Sequence, residues 1–439
     1  MMKQNGSKGK FFAALVIFSL TGQIAWVVEN MYLNVFIYKM FNASAGEISL
    51  MVSASAVSAT LTTLLIGALS DKLGKRRCFI CGGYILWGIS ILGFSLLRKD
   101  VIGALFPMAA SVSAVGVTLV IVLDCLMTFF GSSANDACFN AWLTDVTEEG
   151  DRGRAEGINA MMPLIAILAV FGGFMSFDLN LESSWTVIFA IIGVVVLLIG
   201  VLGFFLIREP EIKTDGNQNY FGNILYGFRP SVVAQNRELY LFLIAFAVFG
   251  ISIQIFMPYL ILYYTVSLQM ENYVLIMAPA ILLAAVFTAL WGRVYDKLGF
   301  GRSVAPSLGL LMAGYLILFF FRHTALVFLG SLLMMCGYLS GMAVFGAIIR
   351  DRTPKNRSGM FQGLRIVGQV LIPGIIGPVI GSWVLRNAET VVNDDGTSSF
   401  VPNVNIFLAA LFVAAVLALV LIPMLSVLKK GKSNEKENP

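Results

Sequence analysis

The pattern that decides the fold occurs twice: residues 67–77 read GALSDKLGKRR, and residues 292–302 read GRVYDKLGFGR, 225 residues further on. Each copy follows an apolar segment and combines glycines, which permit a tight turn, with an acid and several bases. A weaker echo relates residues 145–157 to residues 351–363. The sequence therefore predicts two halves of one organisation, each with the same turn chemistry after its second and fourth apolar segments.

The composition excludes a soluble enzyme. Of 439 residues, 58% are apolar and 13% charged, and the mean hydropathy is +0.84. Soluble proteins are about half apolar and about a quarter charged. A soluble protein with the composition of this chain would have more hydrophobic surface than it could bury in a core. At about 20 residues per span, the apolar residues suffice for about 12 membrane spans. The single histidine, His323, argues against most metal-dependent or general-base membrane enzymes, so we expect no enzyme activity, metal or cofactor.

Twelve apolar segments bounded by charged residues are predicted to cross the membrane as helices. They fall at residues 11–38, 47–69, 78–97, 115–142, 155–177, 184–207, 238–265, 272–291, 304–321, 324–349, 361–385 and 404–428. Residues 101–114 do not fit a further span, so an outer loop or an extension of the third helix is expected there. The prediction is an all-α integral membrane protein with two pseudo-symmetric six-helix halves. Its parts are the N-terminal half (1–207), a cytoplasmic linker (208–237), the C-terminal half (238–428) and a cytoplasmic tail (429–439).

The positions of lysine and arginine predict the orientation. The N-terminus, the loops after even-numbered spans and the C-terminus hold 24 basic residues, whereas the opposite loops hold 5. Both termini are therefore expected in the cytoplasm, with the protein in the cell membrane. The apolar run after Lys10 is too long for a signal-peptide core, so the first helix is expected to be retained. We expect a monomer in the lipid bilayer, with no nucleic-acid partner.

The repeated turns resemble the signature loop of the major facilitator superfamily, and with twelve spans the resemblance covers the whole chain. Residues 23–30 (QIAWVVEN) resemble the Q-x-x-W segment of sucrose-type proton symporters. Residues 135–147 (NDACFNAWLTDVT) resemble the fourth helix of glycoside–pentoside–hexuronide:cation symporters. Residues 52–58 (VSASAVS) lack the carboxylates that melibiose-type sodium symporters carry in the second helix. The resemblance implies transport of a sugar or glycoside, coupled to protons rather than sodium.

Polar side chains within the first span are functional candidates, because their exposure to lipid costs free energy. Four residues fall within about 80° on one helix face: Gln23, Trp26, Asn30 and Asn34. Glu29 lies beside this face, towards the outer side. Amides and an indole suit hydroxyl recognition and stacking on a sugar ring, so these four are predicted to bind substrate. A polar seam between helices is the alternative.

Asp136 in the fourth span is predicted to bind substrate or a proton. It lies nine residues before Asp145, about 13 Å deep at helical rise, and Asn140 shares its face. Asp124 lies near the outer boundary and about 120° away around the helix, so the two acids are not expected to serve one site. A buried acid that gains and loses a proton suits proton coupling, which we assign to Asp136 and Glu29. A permanently paired structural carboxylate is the alternative.

The C-terminal half supplies fewer candidates. Arg365 in the eleventh span matches the depth of Asp136, so it is a proton-coupling candidate through an intramembrane ion pair. A side chain that snorkels to the cytoplasm is the other interpretation. Gln254 and Tyr259 in the seventh span are predicted to bind substrate, although aromatic residues near a helix end also form interfacial belts.

The charged residues of the cytoplasmic loops are predicted to gate the transporter by closing its cytoplasmic side. They are Asp71, Arg76, Arg77, Asp145, Arg152, Asp296, Arg302, Asp351 and Arg357. The alternative is that these are charged loops that only follow the positive-inside rule. That rule alone would not produce the glycines and the aspartate twice at one spacing.

Taken together, the residues and the resemblance predict a secondary active transporter that moves a small polar solute with protons by alternating access. A drug or metabolite exporter of the same fold is the first alternative, because methionine and phenylalanine could line an adaptable cavity. A non-transporting membrane sensor is the second, and the lack of a soluble output domain counts against it.

Overall fold

The computed structural model describes residues 2–147, 151–210, 222, 225–270, 272–353, 363–393 and 397–437. Within these ranges, twelve helices are long and apolar enough to cross a membrane. They are span 1 (Lys8–Phe41), span 2 (Ala45–Leu73), span 3 (Arg77–Phe94), span 4 (Val112–Val146), span 5 (Arg154–Phe174), span 6 (Glu182–Leu206), span 7 (Arg237–Ser267), span 8 (Val274–Leu298), span 9 (Phe300–Phe320), span 10 (Thr324–Arg352), span 11 (Gly363–Val384) and span 12 (Asn405–Ile422). Each matches one predicted segment, which confirms the all-α, twelve-span prediction.

The helix ends follow local chemistry. Before span 2, Ser44 Oγ accepts a hydrogen bond from the Glu47 amide at 3.2 Å, and the Glu47 carboxylate accepts one from the Ser44 amide at 2.8 Å. This capping box satisfies two donors that a helix start leaves unpaired. Spans 2 and 8 both end at a glycine of the repeated turn, Gly74 with φ 62° and Gly299 with φ 73°. Positive φ favours glycine, so the repeat preserves a backbone requirement as well as charge.

Within the described residues, four spans contain a π-helical segment, in which the helix widens. These segments are Val28–Tyr32 in span 1, Ser132–Phe139 in span 4, Tyr263–Ser267 in span 7 and Val367–Leu371 in span 11. Span 7 also contains a 3₁₀ turn at Met257–Tyr259. Such irregular turns are uncommon and occur often at functional sites, because they redirect side chains.

Short elements lie between the spans: a helix at Lys99–Leu105, a 3₁₀ turn at Tyr226–Phe228, a helix at Pro230–Gln235, and the antiparallel strands β1 (Thr390–Val392) and β2 (Ser398–Phe400). The expected extension of the third helix over residues 101–114 is wrong. Span 3 ends at Phe94, a hydrogen-bonded turn follows it, and the separate helix Lys99–Leu105 precedes span 4.

The chain divides into two compact units. Unit 1 comprises Met1–Tyr226 with Thr390–Phe400, and unit 2 comprises Gly227–Glu389 with Val401–Pro439. The strands β1 and β2 thus group with the N-terminal spans. The physical reason is hydrogen bonding: Tyr38 donates to the Phe400 carbonyl at 2.5 Å, and Asn42 Nδ2 donates to Thr397 Oγ1 at 2.8 Å.

Inside unit 1, spans 3 and 6 pack closely through small residues. A Cβ added at Gly88 would lie 2.5 Å from the Leu197 amide nitrogen, and one at Gly193 would lie 2.8 Å from the Leu92 amide nitrogen. Glycine is required here so that the two backbones can touch, which is the usual way for helices to associate in lipid.

Candidate functional site

The polar side chains inside unit 1 collect at the π-helical segments of spans 1 and 4. Glu29 lies in Val28–Tyr32 and is buried, and Asp136 lies in Ser132–Phe139 and is half-buried. The structure therefore places both acids that the sequence singles out for proton coupling at helix irregularities of unit 1, and their proton coupling stays a prediction.

Two hydrogen bonds from its own span hold the Asp136 carboxylate. Ser132 Oγ donates to Oδ2 at 3.1 Å, and Asn135 Nδ2 reaches Oδ1 at 3.5 Å. The Trp26 indole interacts with the carboxylate, but its Nε1 is buried and has no hydrogen-bond partner among the described residues. Because a carboxylate accepts about four hydrogen bonds, Asp136 retains capacity for a further donor.

An aromatic wall stands beside Asp136. The Trp26 and Trp87 ring centroids are 5.0 Å apart, and Tyr84 packs edge-on against Trp87 at 5.4 Å. The Tyr84 hydroxyl lies 2.8 Å from the Phe18 carbonyl and 3.1 Å from Asn135 Oδ1, its two acceptors. The Trp87 indole nitrogen is also buried without a partner in the described part of the chain. Trp26 is half-buried, whereas Trp87 packs against it and is fully buried. The Trp26 indole is thus the face and the N–H group of this wall that suit a ring with hydroxyl groups.

The predicted amides of spans 1 and 4 have different surroundings. Gln23 is half-buried, Asn30 is exposed and Asn34 is only 1% exposed. Asn30 and Asn34 donate to carbonyls one turn earlier in their own helix, at 2.8 and 3.0 Å, and Asn140 does the same to the Asp136 carbonyl at 3.3 Å. The single face expected for the first span assumes 3.6 residues per turn, and the π-helical segment Val28–Tyr32 changes that spacing.

Glu29 also belongs to a second polar cluster, which sequence reasoning missed. Glu29 Oε1 accepts hydrogen bonds from Ser55 Oγ of span 2 at 2.9 Å and from Thr128 Oγ1 of span 4 at 2.8 Å. Asp124, 2% exposed, interacts with Glu29 and with Ser55. The available signal was the spacing of Asp124 and Thr128, four residues apart on one helix face, opposite a serine-rich second span.

Unit 2 places its polar groups in pairs of hydroxyls. Tyr264 and Ser331 are bonded at 2.5 Å, Ser307 and Ser340 at 2.9 Å, and Ser252 Oγ donates to the Ala410 carbonyl at 2.8 Å. Of the candidates, Gln254 is half-buried and Tyr259 is fully buried in the 3₁₀ turn of span 7. No acidic side chain is buried among the described residues of unit 2.

Arg365 is the one basic candidate inside a span. Its guanidinium is half-buried, and Nε donates to Gln369 Oε1, at the π-helical segment of span 11, at 3.3 Å. It forms no ion pair with another described residue of unit 2. Asp136 belongs to the other unit, so the pairing with Arg365 stays a prediction.

The turn between spans 2 and 3 forms a closed ion cluster. Arg76 is 5% exposed and binds Asp71 at 2.5 Å, Asp145 at 3.1 Å and Ser70 Oγ at 2.6 Å. Burial alone would lower the pKa of the Arg76 guanidinium, but Asp71 and Asp145 outweigh it, so the pKa lies above its ordinary value. The cluster joins the ends of spans 2 and 4, and the gating role of its residues stays a prediction.

Glu209, which the sequence did not single out, completes this cluster from the end of span 6. Its carboxylate accepts hydrogen bonds from the backbone amides of Arg76 and Arg77. Arg77 itself turns away from the acids: its guanidinium donates to the Phe204 carbonyl and lies 5.7 Å from the centre of the Phe204 ring. No local pattern in the sequence marks Glu209, because it meets the basic turn from a distant span.

The matching turn of unit 2, between spans 8 and 9, forms no such ion cluster among its described residues. Asp296 and Arg302 are exposed, and neither forms an ion pair within the described part of its unit. Asp351 instead accepts a hydrogen bond from the Tyr295 hydroxyl at 2.6 Å, and Arg352 pairs with Glu238. Arg152 begins the helix of span 5, and Arg357 lies outside the described residues. The repeated sequence thus does not produce repeated contacts.

Comparison with known proteins identifies the family. The chain matches the Major Facilitator Superfamily over residues 11–344. The uncharacterized MFS-type transporter YybF of Bacillus subtilis (strain 168) is 24% identical over 324 residues, which are 72% of this chain and 73% of that protein. The fold is similar to crystal structures of a mutant of the nucleoside transporter NupG (TM-score 0.73, 12% identity, 94% of this chain and 99% of that one) and of the xylose transporter XylE from E. coli (TM-score 0.67, 13% identity, 92% and 96%). Since the sequence match extends over more than half of the chain, the protein belongs to the Major Facilitator Superfamily and has the fold of its transporters.

Proposed function

We propose that the protein is a secondary active transporter that couples the movement of a sugar or glycoside to protons by alternating access. The observation that carries the proposal is the half-buried Asp136 carboxylate beside the Trp26 indole, within the apolar N-terminal spans. An ionisable group at this depth is costly unless it works on an ion or a substrate. The resemblance of residues 23–30 and 135–147 to proton-coupled sugar symporters supports the same assignment.

In this mechanism Asp136 and Glu29 bind the proton, and the sugar rests on the Trp26 indole. Gln23 lies on the same helix as Trp26, and Asn140 lies one turn after Asp136 in span 4. Asn30 and Asn34 continue the first span outward. In the C-terminal half, the proposal assigns substrate binding to Gln254 and Tyr259 and a part in proton coupling to Arg365. Protonation removes the negative charge before the loaded protein changes its direction of access.

The cytoplasmic turns act as the gate. Asp71, Arg76 and Asp145 hold one another in the N-terminal half, so opening that side requires these ion pairs to rearrange. The proposal places Asp296, Arg302, Asp351 and Arg357 in the corresponding role of the C-terminal half, with Arg77 and Arg152 as supporting bases. It also places both termini in the cytoplasm and the protein in the cell membrane, because basic residues concentrate on that side.

A nucleoside is the second candidate substrate. The Trp26 indole would stack against a base as well as against a sugar, and the fold is similar to that of a nucleoside transporter. The two substrate classes bind through different interactions. A base gains binding free energy by stacking flat on the indole, whereas a sugar without a base depends more on hydrogen bonds from the N–H group. Export of a hydrophobic drug or metabolite is the remaining alternative.

The test is the pH of a lightly buffered suspension of energy-depleted cells that express the protein, after addition of single sugars, glycosides or nucleosides. We expect alkalinisation with one sugar or glycoside and none in the Asp136→Asn variant. Alkalinisation with nucleosides only would replace the substrate class. Silence across the panel, with folded protein in the membrane and competition by hydrophobic cations, would favour the exporter.

A further inference from the structure

The connection between spans 11 and 12 is unusually long for this protein. It comprises residues 385–404, whereas residues 42–44 suffice between spans 1 and 2, and residues 268–273 suffice between spans 7 and 8. Connections longer than about 12–15 residues are uncommon and often have a function of their own. This one contains the hairpin of β1 and β2, on the outer side, opposite the repeated turns.

The base of the hairpin is fixed to unit 2. The Val401 amide donates to the Glu389 carbonyl at 2.7 Å and closes the base. Ser267 Oγ, from the last residue of span 7, donates to the Pro402 carbonyl. All four residues belong to unit 2. The base of the connection is therefore attached to the end of the first span of the C-terminal half.

The strands of the hairpin are fixed to unit 1. Tyr38, in the last turn of span 1, donates to the Phe400 carbonyl at 2.5 Å. The two rings also pack edge to face, with their centroids 5.2 Å apart. An aromatic pair in this geometry stabilises beyond the area that it buries. The chain thus leaves unit 2 at Glu389, contacts span 1 and returns to unit 2 at Val401.

Asn42 is the centre of this second attachment. It follows span 1 with φ 55°, a left-handed conformation that asparagine and glycine adopt most readily. Its Nδ2 donates to Thr397 Oγ1 at 2.8 Å, and its Oδ1 accepts hydrogen bonds from Asn393 Nδ2 and Ser399 Oγ, both at 3.3 Å. A single side chain at the end of span 1 therefore binds three residues of the hairpin.

The two attachments act on equivalent helices. Spans 1 and 7 are the first spans of the two pseudo-symmetric halves, and alternating access requires these halves to rock against each other. A segment attached to the end of each span resists any movement that separates these ends. Because the two attachments lie in series along one segment, the loss of either one removes the restraint.

We propose that the hairpin of β1 and β2 is a strap that restrains the outer ends of spans 1 and 7 and so limits opening of the transporter on its outer side. The inference rests on the alternating access of the proposed function and adds a conformational control to it. Opening towards the outside releases the strap at one end, either at Tyr38 and Asn42 or at Ser267.

The test is double electron–electron resonance on the reconstituted protein, with nitroxide labels on Met108→Cys and His323→Cys and with the five native cysteines replaced. The two positions are exposed and lie in other outer connections, one in each unit. Asn42→Gly removes the side chain and keeps its backbone conformation accessible. We expect it to raise the fraction of the longer distance at least about twofold, the effect of one lost hydrogen bond or more.

Ser267→Ala should shift the distances in the same direction, although it changes the other unit. The double variant should gain less than the product of the two single factors, because a strap needs to be released only once. Asn403→Ala is the matched control. It changes another asparagine of the same connection, whose side chain accepts from the Asn405 amide, and it should leave the distances unchanged.

Two results would overturn the inference. The distances could stay the same in both Asn42→Gly and Ser267→Ala, or the two factors could multiply, as they would for independent local contacts. Thermal melting shows whether each variant folds, and Thr397→Val gives a milder shift in the same direction. Because the measurement needs no sugar, a silent substrate panel would reject the proposed substrate alone. Unchanged distances together with intact sugar coupling would reject the strap alone.

Discussion

The two halves of this transporter share a sequence pattern but differ in the chemistry they bury. Unit 1 encloses Glu29, Asp124 and Asp136 together with the indoles of Trp26 and Trp87. The described part of unit 2 buries hydroxyl pairs such as Ser307 with Ser340, which satisfy each other. Groups that satisfy each other stabilise packing, whereas groups with spare capacity are free to bind. The difference locates the ion chemistry of the proposed mechanism in the N-terminal half.

The largest difference is expected between a variant that loses an acid in unit 1 and a variant that loses a hydroxyl in unit 2. Asp136→Asn removes the group that gains and loses the proton, so we expect sugar-induced alkalinisation to fall by about tenfold or more. Ser340→Ala removes one hydroxyl from a mutually satisfied pair and should leave more than half of the signal. The pH trace of expressing cells measures both, and loss of coupling in Ser340→Ala alone would reverse the comparison.

The repeated turns give the second contrast. Arg76→Ala leaves Asp71 and Asp145 without their shared partner, and we expect a loss of about 1–3 kcal/mol in the free energy of unfolding, because both acids are partly exposed. Arg302→Ala removes an exposed side chain and should change stability by less than about 0.5 kcal/mol. Denaturation in detergent compares the two variants, and equal losses would show that the turns are equivalent.

The turn glycines sharpen this contrast. Gly299, with φ 73° and ψ 178°, lies in a region that is essentially restricted to glycine, whereas Gly74, with φ 62° and ψ 26°, is left-handed helical. We expect Gly299→Ala to cost about 1–3 kcal/mol and Gly74→Ala about 1–2 kcal/mol. A Cβ at Gly299 meets no atom within 4 Å, so its cost is one of backbone conformation. Melting temperatures rank the pair, and a larger loss at Gly74 would contradict this ranking.

The smallest effect is expected at the edge of the unit 2 turn. Tyr295→Phe removes the hydroxyl that donates to Asp351, and the site is partly open to solvent. The loss of unfolding free energy should be about 1 kcal/mol or less. A clearly larger loss in the same melting assay would mean that the Tyr295–Asp351 hydrogen bond stabilises unit 2 as strongly as the Arg76 ion pairs stabilise unit 1.

The span architecture could be predicted from sequence because membrane thickness fixes the length of each apolar segment. The repeated turn is equally readable, since its glycines and charges are local. The geometry of the candidate site was harder to predict from sequence. The π-helical segments around Glu29 and Asp136 change the helical spacing, and they have no pattern in hydropathy. Angles computed at 3.6 residues per turn therefore misjudge which side chains share a face.

The contacts between distant spans were the least predictable. Asp124 appeared isolated because its helix alone was considered, whereas Thr128, one turn away, bonds both the Asp124 carbonyl and Glu29 of another span. Trp87 and Glu209 carry no local signature of their roles beside Trp26 and Arg76. The packing of β1 and β2 with unit 1 likewise depends on Tyr38 and Asn42, more than 350 residues away along the chain.

The most direct test of the central claim is to separate substrate movement from proton coupling in proteoliposomes, with the sugar found active in cells. We predict that Asp136→Asn still exchanges labelled for unlabelled sugar at equilibrium but no longer accumulates it when a proton gradient is imposed. Wild-type protein should do both. Retention of gradient-driven accumulation by Asp136→Asn at the wild-type rate would contradict the assignment of coupling to the acids of the N-terminal half.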